Sequence, residues 1–285
     1  MFNQYNIAVM EQVVLYGEIV VAATCMLHAA VSDWKTRKAS DVNWAVMAAT
    51  GLILLIFSTF PGDSDGLVLL VASAVCGWIM IASMSSLDIP LVLYMLPSVI
   101  AALLIFIFHP LNSVALAWIS ACLFPVAYVL MYWSGAMGGA DVKCLMALSM
   151  MFPLCPDLGT IPLWGAGTPL FSLTVLLIAA CGALVSVPIF VLCAGKRTEK
   201  GIRGLTIYRV GLEEAYSTFV QPVEDVKNGK IVKTVINAVS DGGKKLDRLK
   251  AAGATEVLVT PMIPMLVPLV GAFMVTLILG CPPIV

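Results

Sequence analysis

The chain has 285 residues, 60% of them apolar and 12% charged, with a mean hydropathy of +0.99 and a net charge of -1. No water-soluble domain carries that balance; repeated apolar runs of about 20 residues mark a polytopic α-helical membrane protein. The small net charge hides an asymmetry, because 12 of the 16 Lys and Arg fall within 195–260 and the others are Lys35, Arg37, Lys38 and Lys143.

In chain order, apolar runs predict helices at 13–32, 43–60, 67–85, 91–108, 114–133, 142–153, 170–194 and 261–280, about eight spans. The first run lacks a basic n-region and a small-residue cleavage site, so it is expected to be a membrane helix and not a signal peptide. The basic residues orient the bundle. Lys35, Arg37 and Lys38 put the loop after the first helix in the cytoplasm and the N-terminus outside. Alternation then makes Pro61–Gly66, His109–Asn112 and 154–169 external, and it makes Ser86–Pro90, Gly138–Lys143 and the stretch from Lys196 internal. Every Lys and Arg falls inside under this topology. One run is short. From Val142 to Pro153 there are about eleven residues, too few at 1.5 Å each for a bilayer core of roughly 30 Å. Either this helix continues irregularly past Pro153 and Pro156, or Asp141 starts below the membrane surface.

Residues 195–260 read as a small cytoplasmic α+β domain between the last two helices. Leu205–Val210 and Glu256–Val259 have strand character, Asn228-Gly229 is a hairpin turn, and Lys244–Ala252 is a short helix closed by Gly253. Its basic residues alternate with acids, which argues against nucleic acid and for a surface facing the inner leaflet of the lipid bilayer.

Two carboxylates on the cytoplasmic face carry the chemistry. Asp33 ends the first apolar stretch in Val31-Ser32-Asp33-Trp34-Lys35-Thr36-Arg37, and Asp141 follows the glycine break Gly138-Gly139-Ala140-Asp141-Val142-Lys143. Ionisable groups beside membrane segments are expensive and usually functional. Two carboxyls held together keep one ionised and one protonated, which is what water attack on a peptide carbonyl needs. Gly138 and Gly139, without side chains, allow close approach of a substrate strand or neighbouring helix. A place in the first turn of its helix makes Asp141 the candidate base, through the helix dipole. The competing structural reading is that each aspartate only caps a helix end. For either one alone the two readings are evenly matched; the pairing on one face favours function.

These motifs resemble the type IV prepilin peptidase family, and more closely its archaeal preflagellin (prearchaellin) and prepilin peptidases. Ser32–Arg37 with Asp41-Val42-Asn43-Trp44 resembles the segment of the first catalytic aspartate. Gly138–Leu148, running to Phe152-Pro153, resembles that of the second, and Val257–Pro264 the entry to the last helix. The resemblance implies a GxGD-type aspartyl endopeptidase with Asp33 and Asp141 catalytic and Gly138, Gly139, Ala140 and Lys143 in the supporting motif. It implies no cofactor, and as substrates precursor pilins or archaellins with short basic leaders cut at the cytoplasmic face. Ala140 departs from the glycine of the motif. The long interval between the aspartates implies an extra helical hairpin. The cysteine-rich region of bifunctional members is missing, so peptidase activity alone is expected. Asp41 and Asp88, on the same face, would attract a basic leader; as loop or capping residues they have a simpler explanation, and the better one.

Other chemistries fit less well. His28 and His109 are the only histidines, there is no H-E-x-x-H, and the eight cysteines are scattered with no C-x-x-C, so no metal site is expected. Glu18 lies 15 residues before Asp33, about 22 Å along a helix, and cannot join the pair. Ser134-Gly135 lacks a serine-protease frame. Two alternatives stay open: a presenilin- or signal-peptide-peptidase-like protease, whose Tyr-Asp and Pro-Ala-Leu signatures are missing, and a non-enzymatic transporter with paired half-length helices.

Overall fold

The computed structural model describes residues 2–59, 66–85, 89–108, 111–164, 166–193, 206–227, 229–234 and 242–282. Asp88, Asn228, His109 and residues 61–65 of the expected external turn Pro61–Gly66 lie outside them. The chain divides into two compact units, Met1–Ala179 with Leu266–Val285, and Ala180–Met265.

The first unit is a helical bundle. Its helices are α1 (Phe2–Thr36), α2 (Asp41–Thr59), α3 (Gly66–Ser85), α4 (Leu91–Phe108), α5 (Ser113–Trp133) and α6 (Gly139–Met151), with the start of α7 (Phe171–Cys193) and the closing helix Leu266–Leu279. Six of these, α1 to α5 and α7, are long and apolar enough to cross a membrane. Exposed Phe57, Ile81, Phe106 and Val20 line the outside of this bundle. In water such a surface would drive association; in a bilayer it is the solvated face. The protein is therefore a membrane protein. The sequence anticipated about eight spans; among the described residues six helices reach that length. Helix α6 has 13 residues and the closing helix 14, about 20 Å each at 1.5 Å per residue. The sequence also began the closing helix at 261. Glu256–Pro261 is instead a strand, because the run Val257-Leu258-Val259-Thr260, rich in β-branched residues, pairs on both sides, and Pro261 and Pro264 delay the helix to Leu266.

Helix α6 is fixed at both ends. Near its start the Lys143 ammonium donates to Asp41 Oδ2 at 2.9 Å, joining it to the first residue of α2. Near its end it crosses α2 so closely that a Cβ on Gly51 would overlap the backbone of Met151. Asp41 opposite Lys143 and Gly51 opposite Met151 mean that α2 and α6 run parallel, starting at one level. After Met151 the chain stays irregular inside the bundle, where unpaired backbone groups are costly. They are paired here. Ser120 of α5 donates its hydroxyl to the Pro153 carbonyl at 2.7 Å, Cys155 N–H reaches Thr168 O at 2.7 Å, and Trp164 N–H reaches Leu279 O at 3.0 Å. Phe152, Phe171 and Phe273 close the same end, with ring centroids 5.2 to 5.9 Å apart. The chain continues irregularly past Pro153, as one of the two sequence options had it.

The second unit contains β1 (Tyr208–Gly211), α8 (Leu212–Ser217), β2 (Val220–Pro222), β3 (Glu224–Lys227), β4 (Lys230–Lys233), α9 (Gly242–Ala251) and β5 (Glu256–Pro261). An antiparallel sheet has the order β1-β5-β2, and β3 pairs with β4 as a separate hairpin. Strand β5 is central and its residues Val257, Leu258 and Val259 are buried, which is why this segment is almost wholly apolar. Leu246 and Leu249 of α9 complete the core with Tyr208, Val210 and Leu212. Arg248 of α9 holds Asp225 through two 2.8 Å bonds, which keep that carboxyl below its usual range. With α10 (Leu266–Leu279) the chain re-enters the bundle.

Replacing Gly51 by Ala is expected to force α2 off α6 and destabilise the bundle by roughly 2–3 kcal/mol. Thermal unfolding of the purified full chain in detergent measures it; an unchanged midpoint would show that the contact is not close-packed.

Candidate active site

Asp33 sits inside α1, one turn before its end; the helix read from the sequence to 32 runs on to Thr36. The turn that follows is heavily constrained. Arg37 adopts φ 56, the left-handed conformation at which helices usually stop on glycine, and its N–H closes on the Asp33 carbonyl at 2.9 Å. A non-glycine residue there costs about 1 kcal/mol. The cost is offset locally: Ser32 donates its hydroxyl to the Lys38 carbonyl at 2.7 Å, Thr36 donates to the same oxygen at 3.3 Å, and Thr36 also bonds Ser32 O at 2.9 Å. These bonds give the Ser-Asp-x-x-Thr-Arg-Lys spacing a structural reason. Asp33 itself is about half-buried. Its carboxyl accepts the backbone N–H of Leu266, the first residue of α10, and the Arg37 guanidinium lies within electrostatic reach.

Asp141 is the third residue of α6, after Gly139 and Ala140, with Gly138 as the N-cap. The Gly138 N–H hydrogen-bonds its carboxyl, so the side chain folds back over the start of its own helix, as in half of a capping box. This explains Gly138 better than backbone freedom does. Its φ of -72 is open to any residue, but a Cβ would stand 3.1 Å from Asp141 Oδ2. Asp141 is partly buried. Each aspartate thus accepts an N–H at a helix N-terminus, Asp141 from the cap of α6 and Asp33 from the start of α10, where the helix dipole favours negative charge. The two carboxyls are close enough to interact electrostatically.

The remaining sequence candidates fall around this pair. Gly138, Gly139 and Ala140 form the turn that carries Asp141. Lys143, on the next turn of α6, is bound to Asp41, whose side chain is 50% exposed. His28 of α1 shares a 3.1 Å hydrogen bond with Asn43 of α2, a structural link between the two helices. Among the described residues no group of three His, Cys, Asp or Glu is arranged to hold a metal. Two contributions were missed in the sequence. Leu266 acts through its backbone N–H, which an apolar side chain does not advertise. Arg37 reads as one more orienting basic residue until its φ is known.

No family model matches the chain, and no curated protein matches it.

The Lys143–Asp41 pair is half-open to solvent, so its coupling energy is expected to stay below about 1 kcal/mol. A double-mutant cycle of Lys143→Met and Asp41→Asn, read by thermal unfolding, measures it. A coupling of several kcal/mol would show that the pair, and not the Gly51 crossing, fixes α6.

Proposed function

We propose that this protein is a membrane aspartyl endopeptidase that removes short basic leader peptides from pilin- or archaellin-type precursors at the cytoplasmic face. The observation that carries the reading is the convergence of Asp33 and Asp141, from helices more than a hundred residues apart in sequence, on one small polar site in an apolar bundle. The resemblance of both surrounding motifs to the prepilin peptidase family gives the reading its substrate.

The chemistry follows from the pair. One carboxylate takes a proton from a water molecule; its partner, protonated, donates a hydrogen bond to the scissile carbonyl. The water oxygen bonds to the carbonyl carbon, and the oxygen of the resulting tetrahedral intermediate keeps the bond from the acid. Collapse breaks the C–N bond as a proton passes to the leaving amine. Both residues lie at helix ends on the level of Lys35, Arg37, Lys38 and Lys143, and the positive-inside rule gives that level a cytoplasmic orientation. A leader emerging ahead of a hydrophobic segment would meet the site there. The exposed side of Asp41 is available to its basic residues, although Lys143 already takes part of that charge.

A second reading has one observation in its favour. The sequence offered a single short helix, whereas both α6 and α10 are short and both point their N-termini into the site. Paired half-length helices are a transporter device. In transporters such ends face a bound solute near the midplane; here they face the protein's own carboxyls at one end of the bundle, which favours hydrolysis.

Full-length protein in liposomes, mixed with tagged prepilin or prearchaellin, is expected to shorten the precursor by its leader. Asp33→Asn and Asp141→Asn should each reduce the cleavage rate at least about a thousandfold at unchanged protein level. Full cleavage by either variant contradicts the paired-aspartate mechanism. Carboxylate-dependent solute flux without cleavage supports the transporter.

A further inference from the structure

We propose that one end of the β1-β5-β2 sheet is a lipid anchor, with Phe219 and Met262 as two adjacent apolar side chains set into the headgroup region of the bilayer. The inference does not use the aspartyl protease reading, and it holds equally for a transporter.

The second unit contains its own membrane segment. Residues 180–189 of α7 belong both to that unit and to the span Phe171–Ile189. Leu184, Val185, Ile189 and Leu192 are exposed apolar side chains, as lipid-facing residues are. Val191, between the last two, is fully buried in the same core as Tyr208, Val220 and Val259. The lipid-facing surface of α7 and the core of the α+β fold therefore meet within one turn of helix. The fold begins at the level where the span ends.

Strand direction selects the end of the sheet that meets this level. Strand β5 runs antiparallel to both β1 and β2, so the end of β5 lies beside the starts of the other two. Met262 N–H donates to the Phe219 carbonyl at 3.0 Å, and the Thr260 hydroxyl donates to the Thr206 carbonyl at 2.9 Å. Met262 comes four residues before Leu266, where the apolar α10 starts, and four residues reach at most about 14 Å. This end of the sheet is thus tethered close to a membrane helix by its own chain.

Polarity separates the two ends. At the far end Gly211 pairs with Glu256, and Glu213 lies 3.5 Å from Lys250. At the near end Thr206, Ile207, Thr218, Phe219, Thr260 and Met262 carry no charge, and Phe219 and Met262 are 50% and 41% exposed. The polar groups flanking them are engaged. The Thr218 carbonyl accepts from Val220 N–H at 3.0 Å, and the hydroxyls of Ser217 and Thr218 both donate to the Glu214 carbonyl, at 3.0 and 2.8 Å. Apolar side chains on such a satisfied backbone enter the headgroup region without stranding these donors and acceptors. The sequence reading turned the basic residues of this region toward the leaflet; the fold adds two apolar ones.

The test uses full-length protein in phosphatidylcholine liposomes that contain a phospholipid with a diazirine at the head of one acyl chain. Light expels dinitrogen, and the carbene left behind inserts into a neighbouring C–H bond of the protein. Peptide mass spectrometry locates the adducts. Ile189 of α7 reports lipid contact. Ile231, on the β3–β4 hairpin, is the control for chance collision, because it is apolar and 46% exposed. Adducts are expected at Phe219 and Met262 at a level at least about tenfold above that at Ile231. Their absence from both residues while Ile189 is labelled overturns the anchor, whether the pair stands in water or is covered by protein. Labelling of Ile231 equal to theirs overturns it as well.

Discussion

The contact between α2 and α6 at Gly51 is the constraint on which the site depends. Helix α6 is too short to be positioned by spanning the bilayer, so its depth and tilt come from its neighbours. A residue without a side chain at position 51 lets the two helices meet backbone to backbone at one end. The Lys143–Asp41 pair then aligns the other end. Because only four residues separate the end of α1 from the start of α2, fixing α6 against α2 also fixes Asp141 relative to Asp33. A membrane interior offers little hydrophobic drive for helix association, and close approach at small residues with local polar contacts takes its place.

The same economy appears beyond Met151. The segment that follows α6 has no regular ladder, yet it lies among apolar helices. Its carbonyls and N–H groups are taken up by Ser120, by its own hairpin-like pairing at Cys155 and Thr168, and by the end of α10. Three phenylalanines pack over that junction. Helix α10 is thereby held at its far end, with Leu266 at its near end against Asp33. The two short helices are tied together at one end of the bundle, and their N-termini stand beside the carboxyls at the other.

Much of this was legible in the sequence, for identifiable reasons. Long apolar runs bounded by Gly, Pro and charge marked α2 to α7 to within a few residues, because lipid demands a continuous apolar surface, whereas α1 begins eleven residues before the run read from the sequence. The two aspartates stood out because charge is rare in such runs. The end of the last helix was legible and its start was not: Val257–Pro261 is as apolar as a membrane segment, and only pairing with β1 and β2 makes it a strand. The short β2 and α8 carry no periodicity over three and six residues. The roles around the aspartates were hidden for a different reason. A backbone N–H at Leu266, a left-handed φ at Arg37 and a salt bridge from Lys143 to Asp41 are products of folding, and composition gives no sign of them.

The central claim is that Asp33 and Asp141 form one site within a single chain. The most direct measurement replaces both with cysteine and treats the protein in liposomes with a short dithiol-bridging arsenical, mapping the bridged peptides by mass spectrometry. The account predicts a bridge between positions 33 and 141 of one chain that is absent from either single variant and insensitive to dilution. Two unbridged thiols, or bridges only between chains, would contradict it.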